Sequence, residues 1–132
     1  ARSTLARPPH ERGEALDRGP EKIPKAHDQF ARADLVVAVI EAPVISEKIP
    51  EIEQTYSAAC VCLQLLNAAL AAGWGANWLS GWASHDRGFV EKGLDLTPRE
   101  RVAGFIHIGT EKATPPERPR PNMETKVTWL SA

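Results

Sequence analysis

The amino-acid sequence predicts an α+β fold in which strands pack against one long central helix. Two runs rich in β-branched and aliphatic residues, 35–40 and 102–109, have the composition of β-strands. Between them, residues 54–82 contain no Asp, Glu, Lys, Arg or His, although 25% of the chain is charged. A long uncharged segment belongs inside a packed structure. These observations predict at least two strands and a buried helix.

Composition limits the possible partners and compartments. The chain has 132 residues, enough for one domain, and its 16 basic and 17 acidic side chains give a net charge of −1. This balance argues against nucleic acid as the main partner, because phosphate binding requires a surplus of basic residues. The N-terminal residues lack the apolar stretch of a signal peptide, so a cytoplasmic location is expected.

The first part of the chain is charged and interrupted by proline and glycine. Short helices are predicted at 10–17 and after Pro20, with His10 and His27 on the surface. The charges in residues 1–34 are interpreted as a solvated face without chemistry. The strand at 35–40 has no alternation of polar and apolar residues, which predicts burial on both faces of a sheet.

Residues 54–72 are apolar almost all round, which is typical of a membrane span or of the central helix of a packed domain. A span requires roughly 18 or more consecutive apolar residues, and Gln64 and Asn67 interrupt this run. The central helix is therefore the preferred interpretation, and no membrane association is expected. Cys60 and Cys62 point in different directions on such a helix, so both are expected to be buried, reduced thiols.

The helix is expected to stop at Gly73, where a segment rich in tryptophan and glycine begins. Residues 73–82 contain three tryptophans and three glycines. Glycine permits a turn or a close approach of the backbone, and large flat side chains suit a planar ligand. The same composition suits an ordinary core, and the pattern alone leaves both interpretations open.

The segment after the tryptophans predicts two helix starts and the second strand. Ser84 is expected to cap a helix over 86–92, with Gly93 just past its end, and Thr97 with Glu100 forms a predicted capping box. His107 alternates with apolar residues in strand 102–109, which favours a histidine with satisfied hydrogen bonds on the sheet over a catalytic one. No metal site is expected, because the pair Cys60 and Cys62 lacks a second pair of ligands.

The last residues, 111–132, are predicted to form an extended C-terminal arm. Its prolines prevent regular structure, and Trp129 and Leu130 favour packing over a neighbour, because exposing them gains nothing. Two predicted strands are too few for a complete sheet. The expectation is that the chain begins partway through a domain or that another subunit completes it.

The order of these segments resembles the C-terminal two-thirds of a nitroreductase-family flavoprotein. The resemblance runs from about residue 20 to residue 130 and is carried by 48–54 (KIPEIEQ), 73–81 (GWGANWLSG) and 101–110 (RVAGFIHIGT). It is closest to a small bacterial group of NAD(P)H nitroreductases. The resemblance implies one partial domain, 1–132, with a three-layer sandwich around a central mixed or antiparallel sheet that lacks its N-terminal part.

The resemblance also implies a homodimer with FMN at the interface, where the central helix lies and across which the arm reaches. Members of the family transfer hydride from NADH or NADPH to FMN, and then to a nitroaromatic or quinone acceptor. Because the flavin supplies the chemistry, no catalytic side chain is implied. Related uses of the same site include dehalogenation and enone reduction. The arginine-rich segment that grips FMN in the family does not occur here, so the alternative is a non-catalytic, truncated flavin-binding or dimerisation module.

Individual site residues follow from the resemblance. Trp78, Leu79 and Ser80 match the family's Trp-Arg-Ser segment that contacts flavin, with Leu79 in place of the arginine. Arg120, near Arg118 in the arm, is an expected partner of the FMN phosphate, with a solvated side chain as the alternative. The segment that matches the family's NAD(P)H-binding segment consists of Ala68, Ala69, Leu70, Ala71, Ala72 and Gly73. Tight packing of the helix end is the alternative explanation of these small residues.

Overall fold

A computed structural model describes residues 30–130 of the chain. Its elements in chain order are β1 (Leu35–Glu41), α1 (Glu51–Ala71), β2 (Gly75–Leu79), α2 (Trp82–His85), a π-helical turn (Phe89–Gly93), β3 (Arg101–Gly109) and α3 (Met123–Lys126). The two predicted strands and the central helix are confirmed. The helices expected before residue 30, with His10 and His27, lie outside the described residues.

The three strands form one antiparallel sheet in the order β1–β3–β2. β2 was not predicted as a strand, because its sequence GANWL combines glycine and asparagine with few β-formers. The prediction that β1 is buried on both faces is wrong in the described chain, since Leu35 is 45% exposed at the edge of the sheet. β3 is the strand covered on both sides, because it lies in the centre.

The sheet separates two layers of helices, which gives the predicted three-layer arrangement. Because side chains alternate along a strand, Phe105 and Ile106 of β3 point to opposite faces. Phe105 belongs to a core formed with α2 and the π-helical turn, and this face is called the α2 side. The opposite face, called the α1 side, holds the fully buried Ile106 and is covered by α1.

Helix α1 ends where the sequence predicts, because Gly73 adopts a backbone conformation that does not continue the helix. Gly73 has a φ of 86°, a backbone conformation that residues with a Cβ rarely adopt. Its N–H donates to the carbonyl of Leu70 at 3.0 Å, and the N–H of Trp74 donates to the carbonyl of Ala69 at 3.0 Å. This pair of bonds is a Schellman motif, which satisfies the last carbonyls and turns the chain into β2.

The segment between β2 and β3 differs from its prediction. Ser84 is buried inside α2 and caps nothing. Instead, Oδ1 of Asp86 accepts a hydrogen bond from the N–H of Phe89 at 2.8 Å and begins the π-helical turn, of which Gly93 is the last residue. The side chain of Glu100 forms its half of the expected capping box, which opens a single turn, as predicted.

In that turn, the N–H of Thr97 donates to Oε2 of Glu100 at 2.8 Å, and the N–H of Glu100 donates to the carbonyl of Thr97 at 3.1 Å.

The prediction that both cysteines are buried is half right. Cys62 is buried, and burial raises the pKa of its thiol, whereas Cys60 is exposed. Among the described residues, no helix is both long and apolar enough to span a bilayer.

A group of charged side chains fastens the sheet to the start of α1. Arg101 of β3 contacts Oε1 of Glu41 at 3.1 Å and also bonds Glu51 in the first turn of α1, and the bond to Glu51 raises the pKa of Arg101. Glu41 is only 6% exposed and accepts a further hydrogen bond from the hydroxyl of Thr55 at 2.6 Å. A buried carboxylate with these partners joins β1, β3 and α1.

Replacing Arg101 is expected to destabilise the fold more than replacing its neighbour. Arg101→Ala leaves Glu41 buried with fewer hydrogen bonds, and we expect the free energy of unfolding to fall by about 1–3 kcal/mol. Arg99→Ala is the matched control, because Arg99 is exposed and lies 3.9 Å from Glu51; its effect is expected to stay within about 0.5 kcal/mol. Urea unfolding of both variants tests this, and equal losses would contradict the role given to Arg101.

Candidate functional site

Trp78 lies against the backbone of the central strand. It pairs with Ile106 across the sheet, so its side chain lies on the α1 side. A Cβ placed on Gly104 would lie 2.0 Å from Nε1 of Trp78 and 2.6 Å from Cδ1. The indole therefore occupies the space that any other residue at position 104 would fill. This half-buried ring packs within the fold, whatever surface it also offers to a ligand.

The end of β2 is more open than its middle. Leu79 is half-buried on the α2 side, opposite Phe105, and contributes no charge. Ser80 follows the strand and is exposed. Gly81 has φ 94° and ψ −150°, a region that essentially only glycine adopts, and no atom lies within 4 Å of the position of a Cβ. The end of β2 at Ser80 and Gly81 is therefore accessible to an approaching ligand.

The residues expected to contact NAD(P)H form the exposed end of α1. Ala69 is buried against the sheet, whereas the other members of the segment are exposed: Ala68, Leu70, Ala71, Ala72 and Gly73. A helix C-terminus carries partial negative charge, and the last turn of α1 contains no basic residue. This surface suits apolar contact, and within the described chain it offers no cation to the phosphates of a nucleotide. Its assignment to NAD(P)H stays a prediction.

Arg120 lies in the exposed arm. Its Nε donates to Oε1 of Glu117 at 2.9 Å, and both side chains are 79% exposed. From residue 110 to 130 every residue is exposed except the half-buried Val127, so within residues 30–130 the arm is not packed against β2. Trp129 and Leu130 are 89% and 93% exposed. The structure therefore does not bring Arg120 together with the residues at the end of β2.

The outer face of α1 is uncharged and uncovered. Tyr56 is 62%, Leu63 49% and Leu70 50% exposed, and Trp74 just beyond the helix is 52% exposed. These side chains, with Cys60 and Asn67, recur every three or four residues and line one face of the helix. We call this set the α1 stripe: Tyr56, Cys60, Leu63, Asn67, Leu70 and Trp74. Contiguous exposed apolar surface of this kind marks a contact site.

Two features of this region were not predicted from the sequence. The first is the packing of the Trp78 ring against Gly104. Its one signal in the sequence is a glycine inside an otherwise apolar strand. The second is the bond between Arg101 and the buried Glu41, residues 60 positions apart in the chain. In the described part of the chain, no cluster of three or more His, Cys, Asp or Glu residues is arranged to hold a metal ion.

Comparison with known proteins identifies the family. The model of the nitroreductase family matches residues 3–110. The chain belongs to the nitroreductase family. This family member is 32% identical over 88 residues to the protein named "Putative NAD(P)H nitroreductase YdjA" of Escherichia coli K12, a match that covers 67% of this chain and 48% of that protein.

A second relative, "Putative NAD(P)H nitroreductase" of Haemophilus influenzae, is 36% identical over 122 residues, covering 87% of this chain and 63% of the relative. The nitroreductase-family chain thus spans about half to two-thirds of the length of these curated relatives.

Solved structures confirm the fold. A nitroreductase-like family protein from Bacillus cereus superposes with a TM-score of 0.70 at 22% identity, covering 85% of this chain and 59% of that one. The enone reductase CLA-ER, which acts in a gut-bacterial fatty acid saturation metabolism, gives a TM-score of 0.53 at 23% identity, covering 92% and 52%. The predicted nitroreductase-like α+β fold and the resemblance from which it came are confirmed.

Proposed function

We propose that this chain forms part of an FMN-dependent NAD(P)H oxidoreductase that delivers hydride to nitroaromatic or quinone-type acceptors. The observation that carries the proposal is membership of the nitroreductase family, with two relatives whose names include NAD(P)H nitroreductase. Bound FMN would accept hydride from NADH or NADPH and donate it to the acceptor. The protein's part is to bind and orient these molecules.

The end of β2 fits contact with a flavin. Ser80 can donate or accept a hydrogen bond, and the open space at Gly81 allows a planar ring to approach the backbone. Trp78 supports this strand from the α1 side through its packing on Gly104. Residues 73–85, which include β2 and the turn after it, contain no arginine or lysine. A cation that pairs with the FMN phosphate would therefore come from outside this segment.

We propose that a second copy of the chain completes the site. The α1 stripe is uncharged and exposed, and a matching stripe on a second copy would cover it around a two-fold axis. The arm of that copy, with Trp129 and Leu130 exposed in the isolated chain, would pack across the neighbour. Arg120 would then reach the FMN phosphate, with Glu117 as its partner when flavin is not bound. We place this dimer in the cytoplasm, where Cys62 stays a thiol.

A second candidate is a module that binds flavin or dimerises without catalysis. It is favoured by one observation, that Leu79 stands where the family's Trp-Arg-Ser segment has an arginine. The two candidates differ in a measurable way, because only the first oxidises NAD(P)H when flavin and a quinone or nitroaromatic acceptor are supplied. Enone acceptors belong in the same assay, since CLA-ER shares the fold.

Substitution of Ser80 tests the flavin contact. Loss of one hydrogen bond should raise the dissociation constant for FMN by about fivefold to tenfold in Ser80→Ala, equivalent to about 1 kcal/mol. Ser57→Ala is the matched control, because it removes the same hydroxyl from the exposed surface of α1. Titration of FMN by flavin fluorescence measures both. Equal affinities for Ser80→Ala, Ser57→Ala and the wild type would remove Ser80 from the site.

A further inference from the structure

His107 is a buried titratable residue that takes no part in the proposed hydride transfer. The residue is 9% exposed, and its Nε2 is inaccessible to solvent and has no hydrogen-bond partner in the described part of the chain. Buried polar atoms without a partner are uncommon in native proteins, because each costs free energy. Burial also lowers the pKa of His107. The imidazole is thus held neutral on the α2 side of the sheet.

The ring of Phe30 lies against His107 and links it to an aromatic group on the α2 side. The rings of His107 and Phe30 lie 5.9 Å apart at 36°. Phe30 also meets Phe105 edge-on at 5.1 Å and Phe89 at 6.1 Å. Phe30 precedes β1 by five positions and is half-buried, so its ring lies outside the paired part of the sheet. The described structure therefore covers His107 with a side chain that lies outside the sheet.

The described elements around His107 bring no charged acceptor to it. Its cross-strand neighbours are Val36 and Asn77, and the buried Ser84 lies in α2. The acidic groups of these elements have other partners: Oδ2 of Asp34 accepts from Thr110, Asp86 accepts from Phe89, and Glu91 pairs with Arg87. The basic and titratable residues of the same elements are exposed, namely Arg32, His85, Arg87 and Lys92. An imidazolium at this position would have no counter-charge.

We propose that His107 is an acid-sensitive latch, which keeps Phe30 and the start of β1 packed on the α2 side while its imidazole is neutral. When the imidazole takes up a proton from solvent, both ring nitrogens become donors, Nε2 has no acceptor in the described part of the chain, and the charged ring requires water. In the proposed open state Phe30 is displaced, so that water reaches the imidazole, and the rest of the core stays in place. The latch is independent of flavin and extends the proposed function.

The direction of the pH dependence follows from proton linkage. In the open state His107 titrates like an exposed histidine, near pH 6.5, whereas in the closed state its pKa is lower. The open state therefore binds more protons below about pH 6.5, and opening is favoured as the pH falls toward the closed-state pKa. Over that window the opening equilibrium changes by up to about tenfold per pH unit, and above it the equilibrium is constant.

Hydrogen exchange of the 132-residue chain at about pH 7.5, 6.0 and 5.0, corrected for intrinsic exchange rates, tests the latch. We expect amides of 30–38 to lose protection by up to about tenfold per pH unit below about pH 6.5, while those of α1 keep theirs. In His107→Phe, which keeps an aromatic ring without a titrating group, this loss should disappear. His85→Gln, at an exposed histidine on the same layer, should behave like the wild type.

Two results would overturn the proposal. One is protection at 30–38 that stays constant over this pH range in the wild type. The other is the same pH-dependent loss in wild type and His107→Phe. Should His107→Phe fail to fold, His107→Gln replaces it, and NMR titration of the wild-type imidazoles provides an independent result. A pKa of His107 at or above the ordinary histidine value of 6.5 would also refute the latch.

Discussion

Gly104→Ala is expected to destabilise the protein strongly, although it adds a single methyl group. The added Cβ would stand 2.0 Å from Nε1 and 2.6 Å from Cδ1 of Trp78, distances at which the ring must move. Trp78 is held between β3 and the layer of α1, so its displacement also disturbs packing on the α1 side. We expect the free energy of unfolding to fall by about 1–3 kcal/mol or more in a urea titration.

A double-mutant cycle with Trp78 separates this clash from other effects. Trp78→Ala alone should cost about 3–5 kcal/mol through lost packing. In the Trp78→Ala background the clash is gone, so Gly104→Ala should cost nothing or stabilise slightly, because alanine has less backbone freedom than glycine in the unfolded chain. Additive effects of the two substitutions on the free energy of unfolding would contradict the packing of the Trp78 ring against Gly104.

Leu63→Glu is expected to convert the proposed dimer into a monomer. Leu63 lies near the middle of the α1 stripe and is 49% exposed in one chain, so a carboxylate there is tolerated by the monomer. In a two-fold dimer it would introduce two like charges into an apolar contact, which costs several kcal/mol. We expect the dissociation constant of the dimer, measured by sedimentation equilibrium, to rise at least about hundredfold.

The matched control places the same charge beside the stripe. Gln64→Glu adds a carboxylate one residue further along α1, on an exposed position outside the stripe, and should leave the dimer intact. The thiol of Cys60, exposed in one chain, provides a second readout, because the dimer would cover it: a maleimide should react more slowly with the wild type than with Leu63→Glu. A wild-type protein that sediments as a monomer, or equal effects of both substitutions, would contradict the proposed interface.

The main elements of the fold are predictable because their signals are local. The uncharged run after Gln54 and the positive φ required at Gly73 define α1, and the apolar runs define β1 and β3. β2 escapes prediction because GANWL becomes a strand only by pairing with β3. Burial of β1 was overestimated for a related reason: composition does not show which strand takes the central place in a sheet.

The candidate site is less predictable, because its geometry depends on contacts between distant residues. The resemblance identifies 78–80, but only the structure shows that Trp78 is seated on Gly104 while Ser80 is exposed. The absence of charge in α1 predicts burial, whereas about half of each large side chain in the stripe is exposed in one chain. We propose that a second copy covers this surface, and the sequence of one chain does not show such a contact.

Titration of FMN with the folded wild-type chain tests the central claim most directly. The account predicts saturable quenching of flavin fluorescence, with one FMN per chain, and flavin absorbance that remains with the protein after gel filtration. Circular dichroism of the same sample shows that the chain is folded. A folded protein that leaves the fluorescence of FMN unchanged throughout the titration would contradict the proposal that this chain helps to form a flavin site.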